Sequence, residues 1–397
     1  MAKQQFEQMP TGKGAKKARK PLTKGQKILR VVIILVVIGL AAAVGVVYYL
    51  SQRDGDDVAN GGRVEFPDPI YSVLTGEEIA DASLNDNPTF CVQIPNGNDG
   101  GRPQAGLTQA GVVFEAIAEA GITRFAAIFQ NASAGAIGPV RSLRPYYLDW
   151  DTPFGCTVVH AGGSDEAIAA LRRGGQREMD ENYEYMWRET SSGRRWNNLF
   201  TSSANLLSYN AARGYTSSTV KAFPRLTPDE VTEILQANQP VAEGDGTASV
   251  MESATWFEIG FGNSGVFNTV YNYDATTNRY LRSYKNGEPH MVYDCSAALI
   301  QPETMRDCGS LVQVAPSVVI AMMVHETNMS DGYHQNIKTI GSGQAVVFQN
   351  GTVITGTWNK SAQSEQIVFK DEDGEVIKLA PGQTWIAAVP QYGAVNW

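Results

Sequence analysis

AGITRFAAIFQNASAGAIGPVRSLRP, residues 120–145, contains the strand around which we expect the fold to form. Along residues 122–129 the alternating side chains are apolar on both faces, apart from Thr123 and Arg124. Successive side chains of a strand point to opposite faces, so a strand of this composition has to be covered on both sides. The sequence therefore predicts a central strand in the middle of a sheet.

The same strand is one half of a predicted β-hairpin, residues 112–130, which turns at an Ala-Gly pair. β-Branched and aromatic residues are frequent in both halves, as is typical of strands. With a two-residue turn, Ile117 lies opposite Arg124, and Glu115 and Glu119 flank it diagonally. A three-residue turn would move both acids to the other face. A buried arginine without a partner is costly, so we expect Arg124 to be ion-paired or to bind a ligand.

The amino-terminal part of the chain has the pattern of a membrane anchor. Residues 1–30 carry nine lysines and arginines against one glutamate, and residues 31–50 carry no charge. Twenty apolar residues at about 1.5 Å each span a hydrocarbon core of roughly 30 Å. The positive flank predicts a cytoplasmic tail, with everything after Leu50, beginning with a polar stalk at residues 51–65, on the extracytoplasmic side. A cleaved signal peptide is the alternative interpretation.

A chain of 397 residues is long enough for about two domains. We expect an α+β protein, with an N-terminal mixed α/β domain at residues 66–225 and a C-terminal, mostly antiparallel β domain at residues 245–397. Subtracting the tail's net charge of +8 from the chain's −9 leaves −17 for residues 31–397. This acidic charge argues against nucleic acid as a partner.

Four cysteines in an exported chain permit two disulfides. The favoured pairing is within each predicted domain, Cys91 with Cys156 and Cys295 with Cys308, and the alternative is buried free thiols. No CxxC or His/Cys cluster is present. His325-Glu326 and His334 do not have the spacing of an HExxH metal-binding motif. The sequence therefore predicts neither a metal site nor a cofactor.

Arginines near a Gly-Pro turn are the main candidates for ligand binding. Arg141 and Arg144 are three residues apart and are bracketed by prolines, and Arg102 also adjoins a proline. Arginine side chains bind carboxylate or phosphate groups through two parallel hydrogen bonds. We predict an anion site at Arg141 and Arg144, with Arg102 and Arg124 as further candidates. The alternative is that these side chains only hydrogen-bond loop carbonyls.

A predicted strand, residues 156–160, runs through Gly162-Gly163 into a predicted helix, residues 165–173, with Ser164 as its N-cap. Such a turn can bind an anion through its free backbone amides, so Ser164 is a further candidate ligand-binding residue. His160 at the strand end is a candidate general acid or base, with Glu115 as its partner carboxylate.

Seven segments of the chain resemble the YerB-like lipoprotein family, a bacterial family of unknown function. They are RPQAGLTQAGVVFEAIAEAGITRFAAIFQ (102–130), IGPVRSLRPYYLDW (137–150), HAGGSDEA (160–167), NNLFTSS (197–203), RYLRSYKNGEPH (279–290), GSGQAVVFQNGTVITGTWNK (341–360) and LAPGQTWIAAVP (379–390). The resemblance implies an extracytoplasmic, membrane-attached α+β protein with no established activity. This chain departs from the family pattern at two places. It has no cysteine near Leu50 for lipid attachment, and its sequence at residues 291–313 is altered, with Cys295 and Cys308 inserted.

Three functional hypotheses follow. The first is a binding or scaffold protein of the cell envelope, held in the membrane by residues 31–50, that binds an anionic cell-wall component or another envelope protein. The second is an envelope hydrolase or transferase acting on a phosphoester or glycosidic bond through His160 and Glu115. The third is a structural partner of another membrane protein. The sequence has no recognised nucleophile or metal motif, which favours the first.

Overall fold

A computed structural model describes residues 68–190, 193–194, 196–238, 252–262, 265–296, 305–329 and 333–397. The predicted tail, membrane anchor and stalk, residues 1–65, lie outside these residues. Among the helices of the described residues, none combines the length and the hydropathy that crossing a bilayer requires.

The described residues form 22 strands. In chain order these are β1 (Ile70–Tyr71), β2 (Glu78–Ile79), β3 (Phe90–Pro95), β4 (Val112–Glu119), β5 (Ile122–Phe129), β6 (Thr157–His160), β7 (Glu178–Asp180), β8 (Trp187–Arg188), β9 (Leu199–Phe200), β10 (Glu252–Ser253), β11 (Trp256–Gly260), β12 (Thr269–Asp274), β13 (Arg279–Tyr284), β14 (Met291–Tyr293), β15 (Leu311–Gln313), β16 (Val318–Asn328), β17 (Gln335–Lys338), β18 (Gly341–Gln349), β19 (Thr352–Lys360), β20 (Val368–Asp371), β21 (Thr384–Pro390) and β22 (Ala394–Asn396).

Four α-helices accompany the strands: α1 (Pro145–Asp151), α2 (Asp165–Arg173), α3 (Ser203–Ala212) and α4 (Pro228–Ala237). Short 3-10 helices lie at Ala82–Asp86, Leu107–Gln109, Thr152–Phe154 and Met305–Cys308.

The central element is a mixed sheet of twelve strands, in the order β10-β19-β18-β16-β21-β4-β5-β3-β6-β7, with β17 attached to β16 and β20 to β19. β16, β21 and β4 are mutually parallel, as are β3, β6 and β7. β5 is antiparallel to both β4 and β3, so the two parallel sets run in the same direction. These six strands therefore end at one edge of the sheet, which we call the carboxyl edge.

The central strand β5 is buried on both faces, as predicted. On one face Phe125 and Ala127 pack in a core with the four-stranded antiparallel sheet β13-β12-β11-β22. On the other face Ala126 and Ile128 pack in a core with helices α1 and α2. The fold is thus a mixed α/β central sheet with few helices, together with smaller antiparallel sheets.

The hairpin has the predicted two-residue turn, but its register differs from the prediction. A β-bulge between Ile117 and Glu119 places Arg124 opposite Ala116 rather than Ile117, so that prediction is wrong. A bulge adds one residue to a strand and so reverses which face the following side chains occupy. As a consequence Glu119 lies on the same face as Arg124, while Glu115 lies on the opposite face.

Several further predictions can be compared with the structure. Helix α2 has the predicted bounds, and Ser164 is its N-cap, because the Ser164 hydroxyl accepts a hydrogen bond from the Ala167 amide at 3.3 Å. Helix α3 begins at Ser203, shortly after strand β9. In the C-terminal part, which was expected to be mostly antiparallel, β21 pairs in parallel with β16 and with β4.

Both predicted disulfides are confirmed. Cys91 on β3 is bonded to Cys156, which directly precedes β6, so this bridge joins two neighbouring parallel strands. Cys295 is bonded to Cys308, 13 positions further along the chain. No cysteine is left as a free thiol.

Candidate functional site

The carboxyl edge brings together most of the arginines predicted from sequence. The segment with Arg141 and Arg144 is fastened along this edge by backbone hydrogen bonds. The Arg141 amide donates to the Gln93 carbonyl at 2.8 Å, and the Leu143 amide to the Gly162 carbonyl at 3.0 Å. Binding sites of open α/β sheets are commonly found outside the carboxyl ends of the parallel strands.

Two of the arginines share one carboxylate. Arg124 Nη2 lies 2.6 Å from Glu119 Oε1, and Arg144 Nη2 lies 2.9 Å from Glu119 Oε2. Their other terminal nitrogens donate to the carbonyls of Ser142, at 2.6 Å, and Leu143, at 3.0 Å. Burial opposes ionisation of Glu119, but the two guanidinium groups outweigh it and lower the pKa of this carboxyl. Arg124 and Arg144 thus fix the loop in place.

Arg141 is different, because its guanidinium makes no hydrogen bond or ion pair with any described residue. Partial burial lowers the pKa of Arg141, and Arg124 lowers it further, while Glu119 and Asp99 act in the opposite direction. Like charges nearby disfavour the cation, and an anion bound there would relieve this cost. Arg141 with Arg124, Arg144 and Glu119 is called the arginine cluster below.

The Gly-Gly-Ser turn beside the cluster has few free donors. The Gly162 amide donates to Asp180 Oδ1 at 2.8 Å, and the Ser164 amide donates to the Leu143 carbonyl at 3.3 Å. The Ser164 hydroxyl caps α2. The chain's own groups therefore occupy these donors, and a ligand role for Ser164 gains no support from its contacts.

His160 is fully buried at the end of β6. Its Nδ1 atom lies 2.9 Å from the Gly162 carbonyl, which can only accept, so Nδ1 carries the proton in the neutral ring. Burial lowers the pKa of His160, although Asp180 and Glu178 partly oppose this effect. β6 is separated from β4 by two strands. At about 4.8 Å per strand, β6 lies roughly 14 Å from β4, so the structure does not bring His160 and Glu115 together as an acid–base pair.

Glu115 belongs to a different site, in the core between the central sheet and the antiparallel sheet. The carboxylate is fully buried and accepts hydrogen bonds from Arg282 Nη2 at 2.9 and 3.0 Å and from Trp385 Nε1 at 2.9 Å. The Thr123 hydroxyl donates a further bond at 2.9 Å. We did not predict Arg282 from sequence, and Glu115 was expected to pair with His160 instead. The sequence does contain a signal for the burial of Arg282, because Arg282 lies between Tyr280 and Tyr284 on the same face of an alternating strand.

Arg282 extends this arrangement to His290 and Gln104. Arg282 Nη1 donates to His290 Nδ1, and so His290 Nε2 carries the proton and donates to Gln104 Oε1 at 3.0 Å. Burial, together with the charge of Arg282, lowers the pKa of His290 well below its ordinary value. Burial disfavours the charge of Arg282, but Glu115 outweighs it and raises the pKa. Glu115, Arg282, His290, Gln104 and Trp385 are called the buried network below.

Arg102 lies next to the buried network and apart from the arginine cluster. Its guanidinium stacks on the ring of Tyr284, 3.7 Å from the ring centroid, and its Nε donates to the Asn96 carbonyl at 2.9 Å. Within the described ranges, no group of three or more His, Cys, Asp or Glu side chains is arranged to hold a metal ion.

Comparison with known proteins identifies the chain's relatives. Residues 74–216 match the N-terminal domain, and residues 257–386 the C-terminal domain, of a family described as "Protein of unknown function (DUF3048)". The chain belongs to the DUF3048 family. A similar protein, "Putative lipoprotein YerB" of Bacillus subtilis strain 168, is 29% identical over 307 residues, which are 76% of this chain and 82% of that protein. The crystal structure of YerB from Bacillus subtilis matches with a TM-score of 0.64 at 25% identity, covering 83% of this chain and 100% of the other.

The buried network joins the two DUF3048 domains. Glu115 and Gln104 lie in the residues matched by the N-terminal domain, whereas Arg282, His290 and Trp385 lie in those matched by the C-terminal domain. β4 and β21, which pair in parallel, likewise come one from each domain. The resemblance to the YerB-like family is therefore confirmed, and both of its halves contribute to one core.

The state of His290 leads to a pH prediction. Its folded pKa is lowered, so below a pH of about 6.5 the unfolded chain takes up a proton that the folded chain does not. Stability should therefore fall with acidification by up to about 1.4 kcal/mol per pH unit from this residue alone. In His290→Gln, the amide oxygen can accept from Arg282 and the amide nitrogen can donate to Gln104, without titrating.

The measurement is the free energy of unfolding of both proteins in urea at pH 7, 6 and 5. We expect wild type to lose more stability than His290→Gln over this range. Carboxyl groups titrate in both proteins, so the difference isolates His290. Parallel pH profiles would contradict the neutral, buried state.

Proposed function

We propose that this DUF3048 protein is a membrane-anchored, extracytoplasmic module of the bacterial cell envelope that binds an anionic group at the arginine cluster. Three features support the location: similarity to a protein named as a lipoprotein, two disulfides, and an uncharged stretch at residues 31–50 preceded by a basic tail. Disulfides persist in oxidising compartments outside the cytoplasm.

The observation that carries the anion proposal is the unequal pairing of the three arginines. Arg124 and Arg144 share Glu119 and also bond loop carbonyls, whereas Arg141 has no polar partner within the described residues. From sequence we predicted an anion site at both Arg141 and Arg144, and the contacts support different roles for the two. Arg141 makes the direct contact with the anion, and Arg144 and Arg124 hold the loop and add positive potential.

The negative charge of the surrounding surface favours anion binding at the arginine cluster over other places on the protein. Residues 31–397 carry a net charge of −17, so most of the surface repels anions. An anionic group is accordingly concentrated only where cations exceed local carboxylates, as at the arginine cluster. A carboxylate or phosphate of a wall polymer, or of another envelope protein, has the required chemistry.

The hydrolase alternative has no observation in its favour. Its acid and base would be His160 and Glu115, which lie on strands separated by two others, and Glu115 is already bonded to Arg282 and Trp385.

The location makes a topological prediction. Protease added to intact protoplasts should digest the region after residue 50 and leave the basic tail intact, because the positive flank is retained in the cytoplasm. The measurement is immunoblotting of tags at the two ends, with lysed protoplasts as the control for access. Protection of the C-terminal tag in intact protoplasts would refute this orientation.

The anion site makes a second prediction. For the full chain in nonionic detergent, we expect phosphate, sulfate, acetate or wall fragments to raise the melting temperature of wild type. Arg141→Gln should lose this response. Arg141→Lys should bind about tenfold more weakly, since lysine cannot form two parallel hydrogen bonds.

Arg172→Gln is the matched control, because Arg172 is an exposed arginine paired with Glu178 outside the arginine cluster. It should respond as wild type does. The proposal fails if none of these anions stabilises wild type, or if Arg141→Gln responds to them unchanged.

A further inference from the structure

A cavity of about 350 Å³ lies beside Arg102 and Tyr284 and is bordered by the loops at Asn98, Val266 and Asn286–Glu288. It shares no residue with the arginine cluster. Ligand pockets range from about 300 to 1,000 Å³, so a cavity of this size suits a ligand as small as an amino acid.

The Arg102 side chain is held rigidly at the wall of this cavity. One face of its guanidinium stacks on Tyr284, and the Phe267 ring centroid lies 5.3 Å away. Nε donates to both the carbonyl and the side-chain oxygen of Asn96, each at 2.9 Å. The Tyr284 hydroxyl donates to the same Asn96 side-chain oxygen at 2.8 Å, so the stacking ring is itself fixed. Little conformational freedom is left to be lost when a ligand binds.

The terminal nitrogens of Arg102 are unused. Neither Nη1 nor Nη2 forms a hydrogen bond within the described part of the chain, and Nη2 is buried without a partner. The pKa of Arg102 is lowered, mainly because the side chain is partly buried. Because Nη2 is buried, Nη1 is the terminal nitrogen that a ligand in the cavity can reach, and a carboxylate can accept a charge-assisted hydrogen bond from it.

The opposite charge is present at the same cavity. Glu288 is exposed and its carboxylate has no hydrogen bond or ion pair with a described residue, whereas Lys285 is neutralised by Glu258 at 2.6 Å. The cavity thus offers one unpaired cation and one unpaired anion. A dianion such as phosphate would leave an excess of negative charge there, but a ligand with one charge of each sign would be complementary.

We propose that this cavity binds a small zwitterionic amino-carboxylate of free amino acid type, with its carboxylate on Nη1 of Arg102 and its ammonium group towards Glu288. This is a second site, beyond the anion binding proposed for the arginine cluster. It also gives the buried network a role in positioning, since Arg282 lies 5.2 Å from the centroid of the Tyr284 ring on which Arg102 stacks.

The test is titration calorimetry of the full chain in nonionic detergent with glycine, L-alanine, L-leucine, L-glutamate and L-lysine. We expect at least one of them to bind. Its N-acetyl derivative lacks the ammonium group and its amide lacks the carboxylate, so each should bind at least tenfold more weakly. Inorganic phosphate should not compete. If none of the five binds at millimolar concentration, or if the N-acetyl and amide derivatives bind equally well, the proposal is overturned.

Variants then locate the site. Glu288→Gln changes an exposed side chain and should reduce binding of the amino acid to the level of its N-acetyl derivative. Val266→Trp fills the cavity from an exposed position without altering Arg102, and should abolish binding. Glu233→Gln, at an exposed acid on α4, is the matched control and should bind as wild type does. Unchanged binding in both Glu288→Gln and Val266→Trp would place the ligand elsewhere and refute the proposal.

Discussion

The ion pair between Glu115 and Arg282 is the interaction on which the rest of the structure depends. Both side chains are fully buried, and a buried ion pair is tolerated only when further hydrogen bonds replace the lost water. Trp385 and Thr123 supply such bonds to the carboxylate, and Tyr271 accepts one from Arg282 Nε at 3.1 Å. These groups come from distant parts of the sequence, so the pair can form only when both DUF3048 domains are folded against each other.

Strand β4 carries two glutamates, and each forms ion pairs with different arginines. Glu115 faces the antiparallel sheet and binds Arg282, whereas Glu119, after the bulge, faces the helices and binds Arg124 and Arg144. Without the bulge both acids would lie on one face, and Arg124 and Arg144 would lose their partner. A single added residue in one strand therefore separates the core pair from the arginine cluster at the carboxyl edge.

Local patterns in the sequence predicted the local elements well. The two-sided strand β5, the Ala-Gly turn, helix α2 with its Ser164 cap and both disulfides follow from alternation, turn chemistry, capping and cysteine count. The parallel pairing of β21 with β4 did not follow, because it joins residues about 270 positions apart and no local pattern specifies such a partner.

The site residues show the same division. Arg141 and Arg102 were identified from the types and spacing of residues, and their unpaired groups fit a ligand role. The pairing of His160 with Glu115 was inferred from residue types alone, and sheet order separates them. Arg282 and His290 were missed because charged and titratable side chains are expected at the surface unless a buried partner is known. The partner, Glu115, lies 167 positions away.

The most direct test of this account is a double-mutant cycle on Glu115 and Arg282, using Glu115→Gln, Arg282→Met and the double variant, with the free energy of unfolding in urea as the measurement. Each single change leaves one buried charge without its partner and should cost about 3–5 kcal/mol. The account predicts that the double variant costs less than the sum of the two, with a coupling of about 2 kcal/mol or more. Additive costs would show that the two side chains do not depend on each other, and would contradict a core built on this pair.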